Sequence, residues 1–171
     1  DGEDRVKFEK AVQNARKFID DFGSHYRNLF FCGTVGTGKS FLSCCIAKEV
    51  MDRGYSVIYF SANALFQKIA EYTFTTKDKE ALAQFKNDLL GCDLLIIDDL
   101  GTESVNSFVT AELFHCLNER HLHRRSTIIS SNLTIEELRD YYSELLFSRM
   151  ISNYDFLKFT GNDIRKYKKL N

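Results

Sequence analysis

The sequence predicts an α/β fold, a parallel β-sheet flanked by helices on both faces, on three grounds. Short apolar runs of strand length alternate with longer segments in which apolar residues recur every three or four positions. Those short runs are almost continuously apolar, as strands buried on both faces must be. The glycine-rich and acidic motifs follow the ends of such runs, where ligands bind in open parallel sheets.

From Glu3 to Phe22 the residues Phe8, Ala11, Ala15, Phe18 and Phe22 recur at threes and fours, which predicts an amphipathic helix ended by Gly23. Asn28 to Cys32 is a short apolar run leading into glycines and reads as a buried strand. A helix begins near Lys39, carries Leu42, Ile46 and Val50 on one stripe, and stops at Gly54. Ser56 to Phe60 is a second strand. Residues 62–91 read as helical, with a polar break over Thr73 to Lys77. Leu94 to Ile97 is a third strand, buried on both faces. A helix over Ser107 to His123 precedes the strand Thr127 to Ser130. Helices over 134–141 and 143–152 lead to a last alternating strand, Tyr154 to Phe159.

A chain of 171 residues has the length of one domain with a single sizeable core. Its 44% hydrophobic and 27% charged content is ordinary for a soluble globular protein. Without an apolar run of 18 residues or a leader-like start, the chain is expected to be cytoplasmic. A net charge of -1 is not the signature of a basic nucleic-acid-binding domain, although a local stripe can hide in a neutral total. The densest basic cluster, Arg165 to Lys169, reads first as a solvated tail. Cys32, Cys44, Cys45, Cys92 and Cys116 form no Cys-x-x-Cys pair and are expected as reduced core thiols. His121 and His123 would lie on different faces of a helix, so no Cys/His metal site is expected.

Gly33-Thr34-Val35-Gly36-Thr37-Gly38-Lys39-Ser40 fits G-x-x-x-x-G-K-[ST], between a strand and a helix. The glycines let successive N–H groups turn inward onto phosphate oxygens, and the positive end of the following helix adds to the anion site. Lys39 would reach the β- and γ-phosphates and the Ser40 hydroxyl would coordinate Mg2+; Phe41 completes the candidate nucleotide contacts. The third strand runs into Asp98-Asp99. Adjacent carboxylates beside a buried strand are costly unless cations or waters are near. Asp98 is therefore the candidate for holding Mg2+ and Asp99 for polarising an attacking water; a simple Asp-Asp turn is the plainer reading.

Asn132 follows the strand Thr127 to Ser130. A water-positioning amide and a turn cap are equally compatible with its spacing. Arg149, in Phe147-Ser148-Arg149-Met150, and Arg165, in Gly161-Asn162-Asp163-Ile164-Arg165, could each neutralise a transferring phosphoryl group, or form a surface ion pair.

Taken in order, the segments GTVGTGKS, LLIIDDLGTE, TIISSNL, FSRM and GNDIR resemble the AAA+ ATPase domain of DnaC/DnaI-type helicase loaders and IstB-like transposition ATPases, over residues 28–167. The resemblance implies a three-layer P-loop NTPase (AAA+) fold in one domain, with residues 1–27 as an N-terminal helix and linker and 28–167 as the nucleotide-binding core. It makes the first two segments Walker A and Walker B, Asn132 sensor 1, Arg149 an arginine finger acting on an adjacent subunit, and Arg165 a sensor 2 acting in its own. It implies ATP and Mg2+ as ligands, self-association into a spiral or ring through Arg149, and binding of single-stranded DNA. It also implies a replicative helicase as partner, through an N-terminal region expected to be absent from this chain. The pair Asp98-Asp99 departs from the Asp-Glu usual in AAA+ proteins; it withdraws the second carboxylate by roughly one C–C bond, and slow hydrolysis is expected of an isolated monomer. Helicase-loader relatives carry a helical insertion where residues 62–91 lie. Here it holds Lys68, Tyr72, Phe74, Lys77, Lys79 and Lys86, aromatics among cations that could stack on bases or pack on the core.

The leading functional expectation is an ATPase acting with a replicative helicase and single-stranded DNA. An IstB-like transposition helper is the alternative within the fold. A small-molecule P-loop kinase is a third reading, against which stand the adjacent acids and the two late arginines.

Overall fold

A computed structural model describes residues 2–161 of the chain. The elements run α1 (Gly2–Asp21), β1 (Leu29–Gly33), α2 (Lys39–Asp52), β2 (Val57–Ser61), α3 (Ala62–Ala70), a π-helical turn (Glu71–Thr75), α4 (Lys79–Gly91), β3 (Leu94–Leu100), α5 (Ser107–Leu122), β4 (Ser126–Ser131), α6 (Ile135–Tyr141), α7 (Glu144–Asn153) and β5 (Asp155–Phe159). The five strands form one parallel sheet in the order β2-β3-β4-β1-β5. Among the described residues no helix is long and apolar enough to cross a membrane.

Strand periodicity divides the core into two layers. Leu29, Phe31, Leu94, Ile96 and Ile128 point to one face and pack with Ala11, Ala15 and Phe18 of α1 and Leu42, Ile46 and Val50 of α2. Phe30, Leu95, Ile97 and Ile129 point to the other and meet Leu65 and Ile69 of α3, Leu113 and Leu117 of α5, and Leu146 and Met150 of α7. The central strands therefore bury apolar residues on both faces, as the consecutive runs Leu29-Phe30-Phe31, Leu94-Leu95-Ile96-Ile97 and Ile128-Ile129 show in the sequence.

The expected core placement of all five cysteines is corrected. Cys32 and Cys92 are buried, but Cys44 is exposed and Cys45 partly so. The buried stripe of α2 runs through Leu42, Ser43, Ile46, Ala47 and Val50, and the helical period carries positions 44 and 45 off it. The polar break in 62–91 is the π-helical turn; Asp78 then restarts the helix by accepting the Ala81 N–H at 2.9 Å.

β1 lies between β4 and β5, so the loop that leaves it is held from both sides. Gly33, at the end of β1, has φ +138°, and a Cβ there would lie 1.8 Å from the Phe159 carbonyl oxygen of β5. Gly33→Ala is expected to cost about 2 kcal/mol or more, from strain and from the forced separation of the two strands. A urea melt checks this, and an unchanged midpoint would refute it.

Candidate active site

α2 starts differently from the helices that follow it. Ser61, Asp78, Asn106, Thr134 and Ser143 each cap a helix by accepting a backbone N–H on the side chain. At α2 the cap is Gly38, at φ +100°, and no side chain accepts the first amides. Those donors and the positive helix end are left to face an anion. Thr37 braces the loop by donating from its hydroxyl to the Thr34 carbonyl at 2.8 Å.

Lys39 is buried, and its ammonium donates to the carbonyls of Gly33 and Thr34 at 2.7 Å each. Burial pulls the Lys39 ammonium below its ordinary pKa, while the charges of Asp99 and then Asp98 oppose that fall. The loop thus holds a cation in place before any phosphate arrives.

β3 extends beyond the expected Ile97 to Leu100 and carries both acids, with an irregularity in its pairing to β4 between Ile97 and Leu100. Asp99 sits there at φ +56°, a left-handed conformation uncommon for a residue with a Cβ. The irregularity breaks the strict alternation of sides. Asp98 is buried, whereas Asp99 lines a cavity of about 230 Å³ together with Val35, Gly36, Gly38, Lys39, Ser40, Phe41 and Asn132.

Asp98 is surrounded by hydroxyl donors. Ser40 Oγ donates to Oδ1 at 3.1 Å, Ser130 Oγ donates to the same oxygen, and Tyr59 OH donates to Oδ2 at 2.7 Å. Ser130 also accepts the Asp99 backbone N–H at 3.0 Å, so one side chain of β4 links the two acids. The Asn132 amide donates to Asp99 Oδ1 at 3.3 Å, and Thr102 Oγ1 donates to the Asp99 carbonyl at 2.8 Å.

The donor set fits ATP and Mg2+. Among the described residues no group of three or more His, Cys, Asp or Glu is placed to hold a metal ion. Mg2+ requires no such cage: it takes one or two hard oxygen ligands from the protein and fills its octahedron with phosphate oxygens and water. Ser40 Oγ beside the Asp98 carboxylate offers that pair at the mouth of an amide-lined loop.

The fold thus brings together the loop residues 33–41, Asp98, Asp99 and Asn132. It does not bring Arg149 to them. That side chain lies on α7 with its guanidinium 5.9 Å from the centre of the Phe114 ring of α5. Arg165 lies outside the described residues, as does the basic run after it. In 62–91, Tyr72 packs against Phe85 at 5.9 Å, with the Lys68 ammonium 4.6 Å over its ring, and Lys86 pairs with Glu112 at 2.7 Å. Phe74 meets Phe108 edge-on at 4.9 Å yet stays 59% exposed, and Lys77 and Lys79 are exposed. Tyr59 and Ser130 escape a reading of the sequence. The one available signal is that each interrupts an apolar strand with a hydroxyl.

The sequence model for the family described as IstB-like ATP binding protein matches residues 8–171. Over 139 residues the chain is 32% identical to the chromosomal replication initiator protein DnaA of Aquifex aeolicus, covering 81% of this chain and 34% of that one. It is 26% identical over 140 residues to the replicative helicase loader DnaC of Escherichia coli K12, covering 82% and 56%. A putative insertion sequence ATP-binding protein of Sinorhizobium fredii is 28% identical over 173 residues, covering 98% and 66%. The chain therefore spans only a third to just over half of the DnaA and DnaC relatives. Among solved structures, AMPPCP-bound DnaA from Aquifex aeolicus superposes with a TM-score of 0.80 at 28% identity, over 95% of this chain and 49% of that one. A DnaC helicase loader superposes with a TM-score of 0.79 at 22% identity, over 91% of both chains, a likeness of fold.

Proposed function

This chain belongs to the IstB-like ATP-binding proteins, with the AAA+ P-loop fold, and from that premise we propose that it hydrolyses ATP with Mg2+ as the motor domain of a bacterial, cytoplasmic replicative helicase loader. One observation carries the reaction: Lys39 and Ser40, at the start of α2, share one cavity with Asp99 of β3, and Ser40 bonds directly to the neighbouring Asp98. The similarity to DnaC carries the biological role.

In this reading ATP supplies the γ-phosphoryl group and Mg2+ neutralises its oxygens. The loop amides and Lys39 bind the phosphates, with Lys39 exchanging its carbonyl partners for phosphate oxygens. Ser40 and Asp98 hold the metal. Asp99 orients the attacking water and takes its proton on the carboxylate that the Asn132 amide steadies. Arg149 completes the site of an adjacent copy in a spiral or ring, and Arg165 acts within its own. Single-stranded DNA runs along the face holding Phe74, Lys77 and Lys79. The protein partner in this reading is a replicative helicase. A second reading, a helper of a transposase, is favoured by the insertion sequence relative, which matches 98% of this chain.

The test is nucleotide binding and turnover over a protein concentration series, with and without single-stranded DNA, beside Lys39→Ala. Removing a charge-assisted contact is expected to weaken ATP binding about 10–100-fold. Turnover that rises faster than linearly with protein and responds to DNA supports a loader. Turnover strictly linear in protein and indifferent to DNA sinks the loader reading and leaves a plain ATPase.

A further inference from the structure

Asp98 is a buried carboxylate, 8% exposed, and a buried charge needs donors on its oxygens. Two of its donors come from expected places, the Ser40 of the phosphate loop and the adjacent strand β4. The third comes from β2, none of whose residues lines the cavity. Tyr59 is paired in register with Ile96, so its side chain stands on the α2 face of the sheet, the same face as Asp98 two residues further along β3. That offset of about 6.6 Å along the strand is within the reach of a tyrosine, and its hydroxyl meets Asp98 Oδ2 at 2.7 Å.

We propose that Tyr59 is a positioning residue for the metal-holding carboxylate: by occupying Asp98 Oδ2 it turns Oδ1 toward Ser40 and thereby sets the affinity for Mg2+. The inference rests on the nucleotide-binding reading above. With Oδ2 committed to the phenol, Asp98 is left with Oδ1 for the metal, beside the Ser40 hydroxyl and with Ser130 bonded to the same oxygen. Mg2+ demands near-ideal octahedral geometry, so a carboxylate free to rotate would present its ligand atom at the wrong angle for part of the time. Outer partners that fix a ligand's orientation typically change metal affinity or activity by about 10–100-fold.

Tyr59→Phe keeps the ring and removes only the donor. Binding of a fluorescent N-methylanthraniloyl ATP to the whole chain is titrated with Mg2+ after EDTA treatment, beside Tyr55→Phe, a tyrosine at the other end of the sheet. Tyr59→Phe is expected to raise the Mg2+ concentration for half-maximal enhancement about 10-fold or more, with Mg2+-free nucleotide affinity unchanged and Tyr55→Phe like the parent chain. An unchanged Mg2+ requirement would overturn the inference and leave the nucleotide-binding reading intact. Equal weakening with and without Mg2+ would also overturn it, because a loss of packing explains that result. A parent chain whose nucleotide affinity ignores Mg2+ would overturn the proposed function, and this inference with it.

Discussion

Arg149→Ala is expected to lower turnover by about 10³–10⁵-fold at protein concentrations where the parent chain has assembled, with nucleotide affinity nearly unchanged. The reason is positional. Arg149 rides on α7 against Phe114, does not line the cavity of its own chain, and forms no ion pair with a described residue. A cation held over an aromatic face, without a carboxylate to neutralise it, is available to a charged group on a neighbour. Mixing gives the sharper measurement. Lys39→Ala chains bind nucleotide poorly but keep their arginine, and Arg149→Ala chains keep their loop. An equimolar mixture should turn over faster than the sum of the two alone, because the first completes the site of the second. A mixture no better than that sum would show that Arg149 does not act between subunits.

Arg120→Ala is expected to destabilise the fold by about 3–5 kcal/mol, lowering the melting temperature by roughly 10 °C. Arg120 is 1% exposed, and its guanidinium donates to backbone carbonyls rather than to a carboxylate. Nη1 reaches the Leu89 and Cys92 carbonyls at 2.6 and 3.0 Å, Nη2 the Ser126 carbonyl at 2.6 Å, and Nε the Thr127 hydroxyl at 2.9 Å. The side chain ties the end of α4 to the start of β4. Its removal takes a donor from four backbone carbonyls, those of Leu89, Leu90, Cys92 and Ser126, and each left unsatisfied costs about 1–3 kcal/mol. Arg120→Lys should restore only part of the loss, since one ammonium cannot span the fork. Urea unfolding decides the matter; a loss below about 1 kcal/mol would mean that water replaces the guanidinium without difficulty.

Arg120 also shows where sequence reading stops. Within Asn118-Glu119-Arg120-His121 it looks like one more solvated charge at the end of a helix, and its burial follows from the approach of α4 and β4. Element order was legible because apolar periodicity is local: the strand at Leu94 and the stripe Leu42, Ile46, Val50 need no knowledge of neighbours. The glycine-rich loop between β1 and α2 was legible for the same reason, since its pattern lies in consecutive residues. Tyr59 and Ser130 were not, because their role follows from a register across three strands that no short window contains. Asp99 was half legible. Its charge can be read from the sequence, but its left-handed backbone follows from the irregular pairing with β4.

The placement of β1 has a consequence for how the protein is made. The strand that launches the phosphate loop pairs with β4 and β5, and Cys32 meets Leu157 across 125 residues of sequence. On the ribosome the loop emerges before its two supporting strands. Until β5 arrives, β1 has an open edge and Gly33 nothing to pack against. Nucleotide can therefore select only chains in which β5 has already been made, and the earlier, unpaired apolar strand is the segment that needs shielding during synthesis.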